Sequence, residues 1–176
     1  MRSARDGALA LAEALRAEGG TAASVLREPA AASSDPGPAQ RSAAGPRAAG
    51  HEAEYELLLE MINEGSRLHY GSPRVLADDD RDLALLLGDQ LYARGLSRLA
   101  ELGDLESVAE LADLISLVAQ AQASGREELA VSIWEAGATA VGWGSSAEHE
   151  TAKALARAGD GDAVEALRRA AERAGS

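Results

Sequence analysis

Residues 78–82 read Asp-Asp-Asp-Arg-Asp and so contain the pattern D-D-x-x-D. On a helix, carboxylates at i, i+1 and i+4 can share Mg²⁺ ions that bridge to a diphosphate, which makes Asp78, Asp79 and Asp82 one candidate metal set. The same residues also suit a helix start, where acids oppose the positive dipole end and meet unpaired N–H groups. The apolar stripe that begins at Leu83 favours this second reading. Gly88-Asp89 falls in mid-helix, where each residue type costs about 0.5–1 kcal/mol. Gly88 would let a neighbouring backbone come close, and Asp89 would hydrogen-bond across that contact. A catalytic carboxylate at Asp89 ranks second.

Glu52, Glu56, Glu60 and Glu64 recur every four residues and so share one helix side. A metal-binding ladder is one reading, and a solvated face is the favoured one. His69 and His149 lack any H-x-x-x-H or E-x-x-H partner, so neither reads as a metal ligand. Trp134 and Trp143 flank the small-residue stretch Ala136–Ala140. Core packing is the ordinary role for them, and an interface anchor the sharper one. Lys153 is the sole lysine, a poorly placed candidate for Schiff-base chemistry. Neither a P-loop, a nucleophile elbow nor a strand-borne glycine fingerprint is found. No catalytic, cofactor-binding or metal residue is therefore expected.

The elements that must carry these residues are helical. Among the 176 residues, Ala (40) and Leu (24) dominate the apolar set, Val and Ile total ten, and Phe is absent. Ala and Leu favour helices, whereas β-branched and aromatic residues build sheets. Tyr55, Leu58, Leu59 and Ile62 follow the i, i+3, i+4, i+7 rule and predict a helix from His51 to Tyr70, with Gly71 as a left-handed cap and Pro73 beyond. A loop over 72–77 leads to a helix carrying Leu83, Leu87, Leu91, Gly95 and Leu99. Asp104 should cap the next helix, which Ser124-Gly125 closes. Further helices start near Glu127, after Ser145-Ser146, and after the turn Gly159–Asp162. Short loops joining five to six helices predict an antiparallel bundle over residues 51–176. A helical repeat ranks second, because no fixed period recurs.

Residues 1–50 differ. Leu9, Leu11 and Leu15 could line a short helix over 8–17, but residues 27–50 are Ala, Ser, Gly and Pro with four prolines. Without an apolar face such a segment is expected to be a disordered linker. The first 50 residues carry six bases and five acids, the remainder 11 bases and 24 acids. The resulting net charge of −12 disfavours nucleic acid and anionic membranes as partners. The absence of cysteine removes disulfides and thiolate chemistry. No apolar run approaches the roughly 20 residues that span a bilayer, and no secretory leader is seen, so a cytoplasmic protein is expected.

The run Asp82-Leu-Ala-Leu-Leu-Leu-Gly-Asp-Gln-Leu-Tyr-Ala-Arg-Gly-Leu96, followed by Leu99-Ala-Glu-Leu-Gly-Asp104, resembles the G-D helix of trans-isoprenyl (polyprenyl) diphosphate synthases. The resemblance spans roughly residues 51–142 and implies a truncated isoprenoid-synthase-like bundle. The family's first aspartate-rich motif lies upstream of that helix, where Met61–His69 offers only Glu64 and Arg67. The second such motif is absent, and Ala138-Thr139 is the nearest echo of a Lys-Thr pair.

These departures resemble the small non-catalytic component of two-component long-chain prenyl diphosphate synthases. The resemblance implies a pseudoenzyme without cofactor, serving as accessory subunit in isoprenoid biosynthesis. Its partner would be a catalytic prenyl diphosphate synthase subunit, with self-association left open. Leu87, Leu91, Tyr92 and Leu96 would line its core or the partner-facing surface. Two alternatives stand beside it: a general helical protein-interaction adaptor, and a Mg²⁺-dependent prenyl-transfer enzyme using Asp78, Asp79 and Asp82.

Overall fold

The structure is a computed structural model that describes residues 2–29 and 33–174, with side chains to Glu172. The protein is an all-α bundle. Six helices fill the region beyond residue 50: α4 (Glu52–Tyr70), α5 (Arg81–Glu101), α6 (Leu105–Ala123), α7 (Glu127–Trp143), α8 (Ala147–Ala158) and α9 (Ala163–Ala174). They are preceded by α1 (Ala4–Glu18), α2 (Gly20–Ser24), α3 (Pro38–Ala43) and a 3₁₀ turn over Pro46–Ala48. The extended pairing found among the described residues is one isolated bridge between Leu26 and Leu76.

The caps explain where the helices start. Asp80 accepts from the N–H groups of Asp82 and Leu83, both at 3.1 Å, and so opens α5. Asp104 caps α6 through Ser107 N–H at 3.1 Å, and Ser146 caps α8 through His149 N–H at 3.1 Å. Each side-chain oxygen satisfies a donor that the first helical turn leaves unpaired. Gly103, Gly125 and Gly159 turn the chain at positive φ of 80°, 66° and 69°. Gly71 does not: its φ is −141°, so α4 ends without the expected left-handed cap. Its N–H instead bonds Arg67 C=O at 2.9 Å.

Before residue 50 the described residues include helical turns that pack onto the bundle. Pro38 and Pro46 each sit in the first turn of an element, where a missing N–H costs nothing and the fixed φ is already helical. Ala39, Ala43 and Ala48 are buried in the main core, and α1 buries Leu11 and Leu15 in a second cluster. Small side chains that show no periodic apolar face can still pack closely, as at Gly45, where an added Cβ would meet the Gly142 backbone. Residues 30–32 of the expected linker lie outside the described residues.

Two apolar clusters meet on α4. Tyr55, Leu58, Leu59 and Ile62 join the larger one with α3, α6, α7, α8 and α9, while Met61 and Leu68 join the smaller one with α1 and α5. α4 and α5 cross antiparallel through a seam of glycines. A Cβ on Gly65 would approach Gly88 C=O at 3.0 Å, one on Gly88 would meet the His69 ring at 2.8 Å, and one on Gly95 would meet Ile62 at 2.7 Å. Leucine-rich faces alone would not bring two backbones so near.

Candidate functional site

The Asp78–Asp82 run does not gather into a metal clamp. Asp78 pairs with Arg27, Asp80 is spent on capping α5, and Asp79 and Asp82 are exposed. Gly88 lies in the α4–α5 seam. Asp89, largely exposed, approaches His69 Nε2 at 3.1 Å across it without hydrogen-bond alignment. His69 also stacks on Tyr92 at a centroid distance of 5.3 Å. Leu87 and Leu91 are buried, while Tyr92 and Leu96 pack half-buried against the main core. Burial raises the Tyr92 phenol above its ordinary pKa, and Ser66 offsets this only in part. Trp143 is exposed and donates Nε1–H to Arg41 C=O at 3.1 Å. Trp134 is half-buried, and its Nε1 meets no acceptor.

The acids every four residues on α4 are not a solvated face. Glu56, Glu60 and Glu64 are buried, Glu64 completely, and only Glu52 faces solvent. Glu64 accepts the backbone N–H groups of Arg74 (2.9 Å), Val75 (2.7 Å) and Leu76 (3.1 Å). Arg74 bonds Glu60, and Gln40 of α3 donates to Glu60 at 2.9 Å and Glu56 at 3.2 Å. Buried carboxylates need such donors, and here they come from a loop and from α3, segments with no helical period of their own. Desolvation raises the Glu56 pKa, which Gln40 and Arg2 only partly counter.

A second polar centre joins α6 to α8. Lys153 is buried, and its ammonium lies 2.7 Å from Glu110, 3.0 Å from Asp113 and 3.0 Å from Glu150. His149 Nε2 sits 2.7 Å from the other oxygen of Glu110, and Arg157 pairs with Asp113. Burial by itself would lower the Lys153 pKa; hydrogen bonds to Glu110, Glu150 and Asp113 outweigh it and raise the value. Lys153 is therefore held as an ammonium and cannot serve as a neutral amine nucleophile near pH 7. Ligand atoms of Glu110, His149 and Glu150 all lie within 4.8 Å of one another. That set could approach a metal ion, yet its negative charge is already met by Lys153.

Glu110, Asp113, Glu150 and Lys153 of this centre line an open cavity of 820 Å³ together with Arg47 and Glu106. Arg47 bridges Asp104 and Glu106, both at 2.7 Å. Tyr55 Oη donates to Asp104 at 2.6 Å, and burial together with that carboxylate pushes the phenol up to about 12. The cavity thus carries more carboxylates than cations and suits cationic or neutral polar ligands over anions.

Sequence reasoning passed over Glu110, Asp113 and Arg74, and treated Lys153 and His149 as isolated. The spacing was available: Glu110 and Asp113 are three apart, and His149, Lys153 and Arg157 are four apart. Such spacings place residues on one helix face, but which two faces meet is a tertiary matter. Comparison with protein-family models, curated proteins and solved structures finds no match for this chain. No helix among the described residues is long and apolar enough to cross a membrane.

Proposed function

We propose that the protein is a non-catalytic accessory subunit of the prenyl diphosphate synthase type, binding a catalytic chain that makes long prenyl diphosphates. The observation that carries this reading is the fate of the Asp78–Asp82 run. These acids are committed to Arg27, to the start of α5 or to solvent, and among the described residues they join no cluster of metal-ligand atoms. The close glycine seam between α4 and α5, the helix that carries Gly88-Asp89, supports the same reading, since such a packed pair can stand without a clamp for Mg²⁺ and diphosphate.

The outward stripe of α5 supports a docking role. Leu86, Gln90, Ala93, Ser97 and Ala100 are exposed along one side and carry no charge. Leu86 is 65% exposed in a chain with 26% charged residues, and with Asp89 as the acid beside it this weakly charged face is suited to covering by a partner.

The test is capture and reconstitution with prenyl diphosphate synthase from the native host. Wild-type protein should retain the catalytic chain and lengthen its products. Leu86→Arg, placed where little packing is lost, should abolish capture with a nearly unchanged melting temperature. Failure to bind any prenyl diphosphate synthase would remove the reading, as would Mg²⁺-dependent turnover of allylic diphosphates by the isolated protein.

A further inference from the structure

A groove of 340 Å³ runs between α4, α6 and α7, away from the acidic cavity and from the outward stripe of α5. Asn63, Ser66 and Arg67 line it from α4, Gln122 from α6, and Trp134 and Glu135 from α7. Two of these side chains carry buried N–H groups without an acceptor: Arg67 Nε and Trp134 Nε1. A buried donor left unpaired costs about 1–3 kcal/mol, so two closed off just beneath the lining of one groove favour its opening toward an acceptor that enters there.

Arg67 is also a cation without a carboxylate within 4 Å among the described residues. Its Nη1 donates to Ser72 C=O at 3.2 Å, which leaves the Nε–Nη2 edge of the guanidinium unengaged. That edge is a planar two-donor fork of the kind that holds a carboxylate through two parallel bonds. The neighbouring Arg74 brings no spare charge, because Glu60 and Glu64 already meet it. Burial and the Arg74 charge lower the Arg67 pKa, and Glu64 and Glu60 offset this only in part.

We propose that this groove binds a small organic monocarboxylate, its head group on the Arg67 fork and Trp134 Nε1–H and its apolar body along the Trp134 ring and Val131. A phosphate monoester fits less well. It carries about −1.5 to −2 charges at neutral pH, whereas the groove offers one cation and includes Glu135, whose nearest cation is Arg41 at 3.9 Å. A volume of 340 Å³ lies at the small end of ligand pockets and suits a compact acid. The site does not depend on the accessory-subunit reading.

Two tryptophans make the test direct, since each gives one indole N–H signal in a ¹H–¹⁵N correlation spectrum. Trp134→Phe and Trp143→Phe assign the two signals. Hexanoate titrated into the full chain should move the Trp134 signal saturably and leave that of Trp143, already bonded to Arg41 C=O. Arg67→Gln should weaken hexanoate binding at least tenfold. Arg67→Lys, which keeps the charge and loses the fork, should weaken it about fivefold and serves if the glutamine variant fails to fold. The proposal is overturned if hexanol moves the Trp134 signal as far as hexanoate does, if hexyl phosphate binds more tightly than hexanoate, or if none of the three gives a saturable shift.

Discussion

The two buried polar centres use the same residue type, glutamate, and neutralise it differently. On α4, Glu64 is satisfied by three backbone N–H groups of the 74–76 loop, and Glu60 by Arg74 and Gln40. Between α6 and α8, Glu110 is satisfied by two side chains, His149 and Lys153. In the first centre Glu64 is held mostly by main chain, which substitution cannot change, while the side chains of Arg74 and Gln40 serve Glu60 and Glu56. In the second every partner is a side chain and can be replaced together with the acid. One centre therefore organises a loop, and the other fastens two helices.

Glu64→Ala is expected to have the largest effect of any single change in either centre. It would orphan three N–H groups, two of them buried, and leave Arg74 with one acid fewer, a loss of about 3–5 kcal/mol in urea unfolding. Glu64→Met should be no better, since an apolar side chain cannot accept from the loop. Lys153→Met should cost nearly as much, about 3 kcal/mol, because Glu110 would remain buried beside an absent cation. Here the centres should part company. The double change Glu110→Met with Lys153→Met should recover most of that loss, as apolar replacement of a whole buried pair often does. A double variant as weak as the single one would erase the distinction drawn between the centres.

That distinction was only half legible in the sequence. The six helices beyond residue 50 could be read because Leu stripes at helical spacing are separated by Asp104, Ser146 and positive-φ glycines at 103, 125 and 159. The close approach at Gly88 was legible for the same reason, a residue that helices avoid placed where helix was otherwise certain. The burial of Glu56, Glu60 and Glu64 was not. Their spacing is that of a solvated face, and only the arrival of Gln40 and the 74–76 loop makes the difference. Gln40 lies in a stretch rich in Ala, Gly, Ser and Pro whose packing rests on small size, and the 74–76 loop buries Val75 and Leu76 over too few residues to show a period.

The glycine seam lies beside the α4 centre and tests whether that helix is held by packing as tightly as by its acids. Gly88→Ala would bring a Cβ to 2.8 Å from the His69 ring and 3.1 Å from Gly65 C=O. Overpacking of this kind costs about 1–3 kcal/mol, against a gain in helix propensity of under about 1 kcal/mol. Gly95→Ala should cost a similar amount, because its nearest neighbours at 2.7 and 2.9 Å belong to the fully buried, β-branched Ile62, and Leu58 C=O lies at 3.2 Å. Gly161→Ala, with open space around it, should be near neutral. Equal melting temperatures for all three variants would mean that the α4–α5 crossing is loose and that the acids alone define this region.

The smallest expected effect is in pH dependence, and it should differ in sign between the centres. In the α6–α8 centre, burial would raise Asp113, but bonds from Arg157 and Lys153 outweigh it, and Ser145 and Lys153 lower Glu150. Groups lowered on folding contribute fully above their ordinary values of 3.8 and 4.5, and the contribution is lost as pH falls through the lower folded values. Lys153 is raised, so its contribution is complete below 10.5 and is lost only as pH rises through the higher folded value. Glu56 on α4 is raised by burial, so acid favours its folded, protonated form, and its penalty is relieved as pH falls toward 4.5. Melting temperature measured from pH 7 to pH 3 should therefore fall less steeply in Lys153→Met than in the parent, by about 2–4 °C, the shift that about 1 kcal/mol gives in a chain of this size. Glu56→Gln should fall more steeply than the parent by a similar amount. Parallel profiles for the two variants would show that the centres do not differ in how they hold their charge.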